Sequence, residues 1–133
     1  MWLIHLLVVT NANGHEICDE VCKAQKRIEL LSPVVTECVC STGVDWALVN
    51  RWFNDLEFFN DSCFMCFVRC VQIKTNLIKP DGTLNIDKIV TLNPDVDRNA
   101  LLDCSTSAER ILDVCKKSYQ LGICTLEVVF SHY

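Results

Sequence analysis

Apolar side chains at Ile17, Val21, Ala24, Ile28 and Leu31 recur at steps of four and three, which predicts an amphipathic helix over residues 16–31. Pro33 interrupts this face, while Val35 and Cys38 prolong it, so a kink or a restarted helix is expected there rather than a domain boundary. Thr42-Gly43 punctuates the chain, and Asp45 is positioned to cap a second, short helix carrying Leu48, Val49, Trp52 and Phe53. The polar residues Asn54, Asp55, Asn60 and Asp61 break the pattern, and Asn60-Asp61-Ser62 is a glycosylation sequon.

The strongest helical signal follows. Cys63, Cys66, Cys70, Ile73 and Leu77 share one face, Arg69, Gln72 and Asn76 fall on another, and Phe64, Phe67, Val68 and Val71 form a second apolar flank. A helix needs two apolar flanks only when it is covered on more than one side, so residues 62–78 are expected to form the central helix, with Cys63 buried and bonded. Lys79-Pro80-Asp81-Gly82 is a turn by composition, and Leu84, Ile86, Ile89, Val90 and Leu92 predict a short helix after it. Asn93-Pro94-Asp95 has the cap, first-position proline and acidic residue of a fresh helix start, anchored by Leu101 and Leu102. Ala108, Ile111, Cys115 and Tyr119 predict a last helix over 105–119, ended by Gly122, with residues 126–133 as an extended tail. The expected fold is therefore all-α, a bundle of about six helices in one domain.

Composition narrows the function classes. Half of the 133 residues are hydrophobic and 22% are charged, enough apolar side chain for a core. A net charge of −5, with no basic run beyond Lys116-Lys117, excludes a phosphate-neutralising surface and hence a nucleic-acid partner. Residues 1–14 contain no charged side chain, carry an apolar run from Trp2 to Val9 and end in Ala12-Asn13-Gly14, which suits signal peptidase. They are expected to be a signal peptide, leaving 15–133 as the secreted domain, and no other apolar run approaches the ~20 residues of a membrane span. Ten cysteines behind such a signal predict disulfides rather than a metal site, because their intervals do not form paired zinc knuckles. Once the leader is removed, only His15 and His132 remain as histidines, neither beside a nucleophile with an orienting carboxylate. Gly43, Gly82 and Gly122 are isolated, and no phosphate-cradling loop can be built from them. Neither a catalytic centre nor a cofactor is expected.

Six cysteines, Cys38, Cys66, Cys70, Cys104, Cys115 and Cys124, are separated by 27, 3, 33, 10 and 8 residues. Around them stand Glu37-Cys38 with Thr42-Gly43-Val44, Cys66-Phe67-Val68-Arg69-Cys70, Asp81-Gly82 before Leu84-Asn85, and Cys115 with Tyr119. This text and spacing resemble the six-cysteine signature of insect odorant-binding proteins, over nearly all of residues 15–133. The resemblance implies an interlocked pairing, Cys38 with Cys70, Cys66 with Cys115 and Cys104 with Cys124. Cys18, Cys22, Cys40 and Cys63 are a departure from that signature. Cys18 and Cys22 lie one helical turn apart, a spacing whose side-chain directions rarely suit a direct bond, so Cys40 and Cys63 are expected to be their partners.

The resemblance also implies a secreted carrier of odorants, pheromones or similar lipids, with a hydrophobic cavity kept open by the staples. Candidate wall residues are Phe67, Val68, Val71, Ile73, Leu77, Leu92 and Ile111, each of which ordinary core packing would explain equally well. In some members the tail folds over the pocket, which makes Phe130 and Tyr133 lid candidates and His132 the tail's titratable group, although an exposed histidine at a frayed terminus is the commoner case. Small hydrophobic molecules are the expected partners; a chemosensory receptor, another secreted protein or a second copy of the chain also fit the scaffold. The alternative is a reproductive or salivary protein that uses the same scaffold to engage a protein partner.

Overall fold

A computed structural model of the chain describes residues 20–131, with side chains from Leu31 onward. The leader over 1–14, His15, Ile17, Cys18, His132 and Tyr133, together with the side chains of Val21, Cys22, Ala24 and Ile28, lie outside that description. Six helices make up the described part: α1 Glu20–Thr42, α2 Trp46–Asp55, α3 Ser62–Lys74, α4 Ile86–Leu92, α5 Arg98–Ala108 and α6 Val114–Phe130. The expected all-α class holds, and among the described residues the only β pairing is an isolated bridge between Ile78 and Leu84. No described helix is long and apolar enough to cross a membrane.

Local chemistry explains most of the boundaries. Asp45, Asp61, Asp97 and Asp113 cap α2, α3, α5 and α6, each accepting a hydrogen bond from a backbone N–H of the first turn. Asn85 caps α4 through the N–H of Lys88. At the end of α3, Asn76 takes a positive φ of 61°, and the N–H groups of Leu77 and Ile78 both return to the Gln72 carbonyl. That reversal drives Leu77 and Ile78 into the core. Gly82, at φ 88°, supplies the left-handed residue of the following turn, where Asp81 accepts from both the N–H and the hydroxyl of Thr83.

Helix α3 packs most extensively against α6; α1 covers α3, and α5 covers α6. Three disulfides fix these pairs: Cys38–Cys70 joins α1 to α3, Cys66–Cys115 joins α3 to α6, and Cys104–Cys124 joins α5 to α6. These are the pairs that the resemblance implied. Because Cys66 and Cys70 are one turn apart, α3 is tied to two different helices.

Several expected features differ. Pro33 does not divide α1, which runs as one helix through it. Asn93 ends α4 instead of starting a helix, with its N–H and its side-chain amide both directed to the Ile89 carbonyl, and the next helix waits for Asp97. Leu101 is buried there, whereas Leu102 is exposed. The helix predicted over 105–119 is broken between Ala108 and Val114, where Asp113 caps a new start. Gly122 does not end α6, and the predicted extended tail is helical as far as Phe130. A mid-helix glycine costs roughly 1 kcal/mol. The Cys104–Cys124 bond and the burial of Val129 beyond it hold this turn in place regardless of that local preference.

The surplus cysteines also depart from expectation. Cys40 and Cys63 are both exposed free thiols. Cys63 sits in the first turn of α3, just after its cap, where the helix is not yet covered. Cys22 and Cys40 belong to the same continuous helix. Eighteen residues of helix place their backbones ~27 Å apart at 1.5 Å per residue, whereas a disulfide needs Cα atoms within ~7 Å.

Candidate functional site

The candidate wall residues converge on one interior. Phe67, Val68, Val71 and Leu77 are fully buried, Leu92 nearly so, and Ile73, Ile111 and Phe130 pack partly buried against the same cluster. Around Phe67 runs an aromatic chain. Trp52 meets Phe67 edge-on at 5.3 Å, Phe64 stacks on Phe67 at 6.2 Å, and Phe59, Phe58 and Tyr119 surround Phe64 at 5.2, 6.2 and 6.4 Å. Burial among these rings pushes the Tyr119 phenol above its ordinary pKa. Arg51 closes one edge, lying 4.9 Å over the Phe59 ring while pairing with Glu57 at 2.6 Å.

This interior is not purely apolar. Gln72, expected on a polar face, is only 1% exposed, and its side-chain N–H donates 3.1 Å across to the Ser118 carbonyl of α6. Among the described residues Trp52 Nε1, Arg69 Nε, Gln72 Oε1, Asn93 Oδ1 and Thr125 Oγ1 are buried without a hydrogen-bond partner. Interiors seldom leave such atoms unpaired, so each marks a place where a polar group could be received. Neither Gln72 nor Thr125 stands out in the sequence pattern. The readable signal was Thr125 following Cys124, a polar residue on the buried face of a helix whose continuation was not expected.

Among the described residues, clefts open at two other places. One, of about 250 Å³, lies between α1 and α2 and is lined by Val35, Thr36, Val49, Phe53 and the half-exposed Trp46. The other, of about 500 Å³, lies between α5 and α6, where Ala108, Ile111 and Ile123 stand beside Lys116, Gln120 and Glu127. Of the candidate wall residues, Ile111 lines the second, and none of the others lines either cleft. Phe67, Val68, Val71 and Leu77, each without exposure, belong to one buried cluster.

Comparison with known proteins points in one direction. Residues 22–128 match the family model described as the PBP/GOBP family. General odorant-binding protein 57c of Drosophila melanogaster is 30% identical over 102 residues, covering 70% of this chain and 68% of that protein. No solved structure matches the chain.

Proposed function

Because the chain belongs to the PBP/GOBP family, the insect odorant-binding proteins, we propose that it is an extracellular carrier that takes small hydrophobic molecules into the interior between α3 and α6. Family membership over residues 22–128 carries this reading. The physical support is the arrangement of staples. Three disulfides tie α1, α3, α5 and α6 into one shell. Such bonds supply stability that a smaller domain would otherwise have to draw from a solid core, so wall residues can separate around a guest without the shell unfolding. A guest entering beside Phe67, Val68 and Val71 would gain ~25 cal/mol for each Å² of apolar surface it buries.

The carrier needs no catalytic group. Its work is reversible partition, with affinity set by buried area and specificity by the few polar groups in the wall. Residues 1–14 fit as the leader that sends the chain to a compartment where the staples can form. The test is titration of the oxidised, secreted chain with a fluorescent apolar probe, N-phenyl-1-naphthylamine, followed by competition with medium-chain alcohols and esters. Saturable enhancement that competitors reverse is expected. A linear, unsaturable signal that no competitor reduces would rule out the carrier reading.

A further inference from the structure

The face that α6 turns inward is made of Ser118, Leu121, Gly122, Thr125 and Val129, so hydroxyl residues and a glycine interrupt what a plain core would fill with branched side chains. Opposite it stands Gln72 of α3. Its Nε2 donates to the Ser118 carbonyl, and since a carbonyl only accepts, the amide's orientation is fixed and Oε1 is turned elsewhere, buried and without a donor.

Thr125 departs from the threonines in or at the ends of the helices that bond back to the backbone, and unlike Thr36 of α1, which is exposed, it has no access to water. Thr42, Thr75, Thr91 and Thr106 each return their hydroxyl to the carbonyl four residues earlier, at 2.7, 2.8, 2.8 and 3.1 Å. Thr125, with no exposure at all, does not, and its Oγ1 has no partner. A helical carbonyl points along the axis towards the residue four places on, so the Gln72 amide meets α6 within the turn from Ser118 to Gly122. Thr125 follows three residues later, a rise of ~4.5 Å on the same face. At Gly122, between them, α6 contributes no side chain.

We propose that Gln72 and Thr125 are the hydrogen-bonding end of the ligand site, and that the chain selects apolar molecules ending in a hydroxyl. A hydroxyl can donate to Gln72 Oε1 while accepting from the Thr125 hydroxyl, satisfying both groups with one atom. An ether or aldehyde oxygen accepts only and leaves Oε1 unpaired; a hydrocarbon leaves both unpaired. Sites built to pair with a hydroxyl discriminate strongly against analogues that lack it, for that reason. The inference rests on the carrier reading.

The test compares competition by decan-1-ol, decyl methyl ether and decane for probe bound to the oxidised full chain. The alcohol should displace probe at roughly tenfold lower concentration than the ether, the difference expected from one buried hydrogen bond. Gln72→Met and Thr125→Val, both close in volume to the native residues, should each bring alcohol and ether to near parity while still binding probe. Thr125→Ser should keep the preference. Equal displacement by alcohol and ether in the native chain, or an undiminished preference in Gln72→Met, would overturn the polar end and leave the carrier standing. Probe that no member of the series displaces would remove both.

Discussion

Joint replacement of Cys66 and Cys115 by alanine tests how the shell is held. This bond closes a loop with a sequence separation of 49, against 32 for Cys38–Cys70 and 20 for Cys104–Cys124. In the chain-entropy account, freeing the longest loop costs ~4 kcal/mol and freeing the shortest ~3 kcal/mol. The loops interlock, yet the others do not relieve the loss, since the route from Cys66 to Cys115 through Cys104–Cys124 is nearly as long as the direct one. A second effect acts in the same direction, because Cys66–Cys115 joins α3 to α6, the pair with the most extensive packing. Urea unfolding followed by helical circular dichroism, without reductant, should therefore show a loss of ~4 kcal/mol for Cys66→Ala/Cys115→Ala. The denaturant slope should steepen as the unfolded chain expands. For Cys104→Ala/Cys124→Ala a smaller loss of ~3 kcal/mol is expected. A loss below ~1 kcal/mol for the α3–α6 bond would refute the argument, since it would mean that packing alone holds these helices together.

Phe67→Ala should destabilise the chain by ~3–5 kcal/mol in the same assay if Phe67 is core, whereas a residue facing an open pocket would cost far less. Asp61→Ala removes the acceptor for the Phe64 N–H, 2.8 Å away, and should cost ~1 kcal/mol while leaving the disulfide map unchanged. Cys40 and Cys63 should both react with maleimide in the native, unreduced protein, and a non-reducing peptide map should contain no Cys22–Cys40 fragment. Arg98 holds the Asp87 carboxyl below its ordinary range, first by hydrogen bonding and then by charge. A depressed folded pKa gives a contribution that is complete above the unfolded value of ~3.9 and is lost as pH falls through the folded one. The difference in unfolding midpoint between the native chain and Asp87→Asn should therefore stay constant from neutral pH to about 5 and close only in more acid solution. A difference that closes between pH 7 and 5 would show that another group is responsible.

The fold was legible wherever local pattern and tertiary environment agreed. Asp45 read as a cap and is one, and the stripe through Cys66 and Cys70 marked the helix that binds two neighbours. Reading failed where a distant contact overrode a local preference. Gly122 and the β-branched residues after it favour an end to the helix, but a disulfide to α5 and the burial of Val129 carry α6 through to Phe130. Asn93-Pro94 has good starting chemistry, yet the Asn93 amide is turned back onto α4 and only Asp97 meets the N–H groups of α5. Nor can spacing reveal that one helix runs unbroken through Pro33, and it is this continuity that separates Cys22 from Cys40.

The site was harder to read for a different reason. Periodicity divides residues into apolar and polar faces and so places Gln72 with Arg69 and Asn76, on the side given to solvent. In the structure α3 is covered on that side by α6, and a glutamine is tolerated there because a carbonyl of the opposing helix takes its N–H. A polar group on a buried face looks like an exposed one until the covering element is known, and periodicity along α3 does not say which helix lies against it. Thr125 was concealed by the helix end expected at Gly122, since beyond a helix a threonine is unremarked, whereas on the inner face of a helix its unpaired hydroxyl is a cost. Purely structural selection would replace it with valine, which has the same shape and no hydroxyl to satisfy. Thr125→Val should therefore be as stable as the native chain or more so when empty, while losing its advantage for hydroxyl-bearing guests. A variant that is less stable when empty and unchanged in selectivity would assign the hydroxyl to the fold instead.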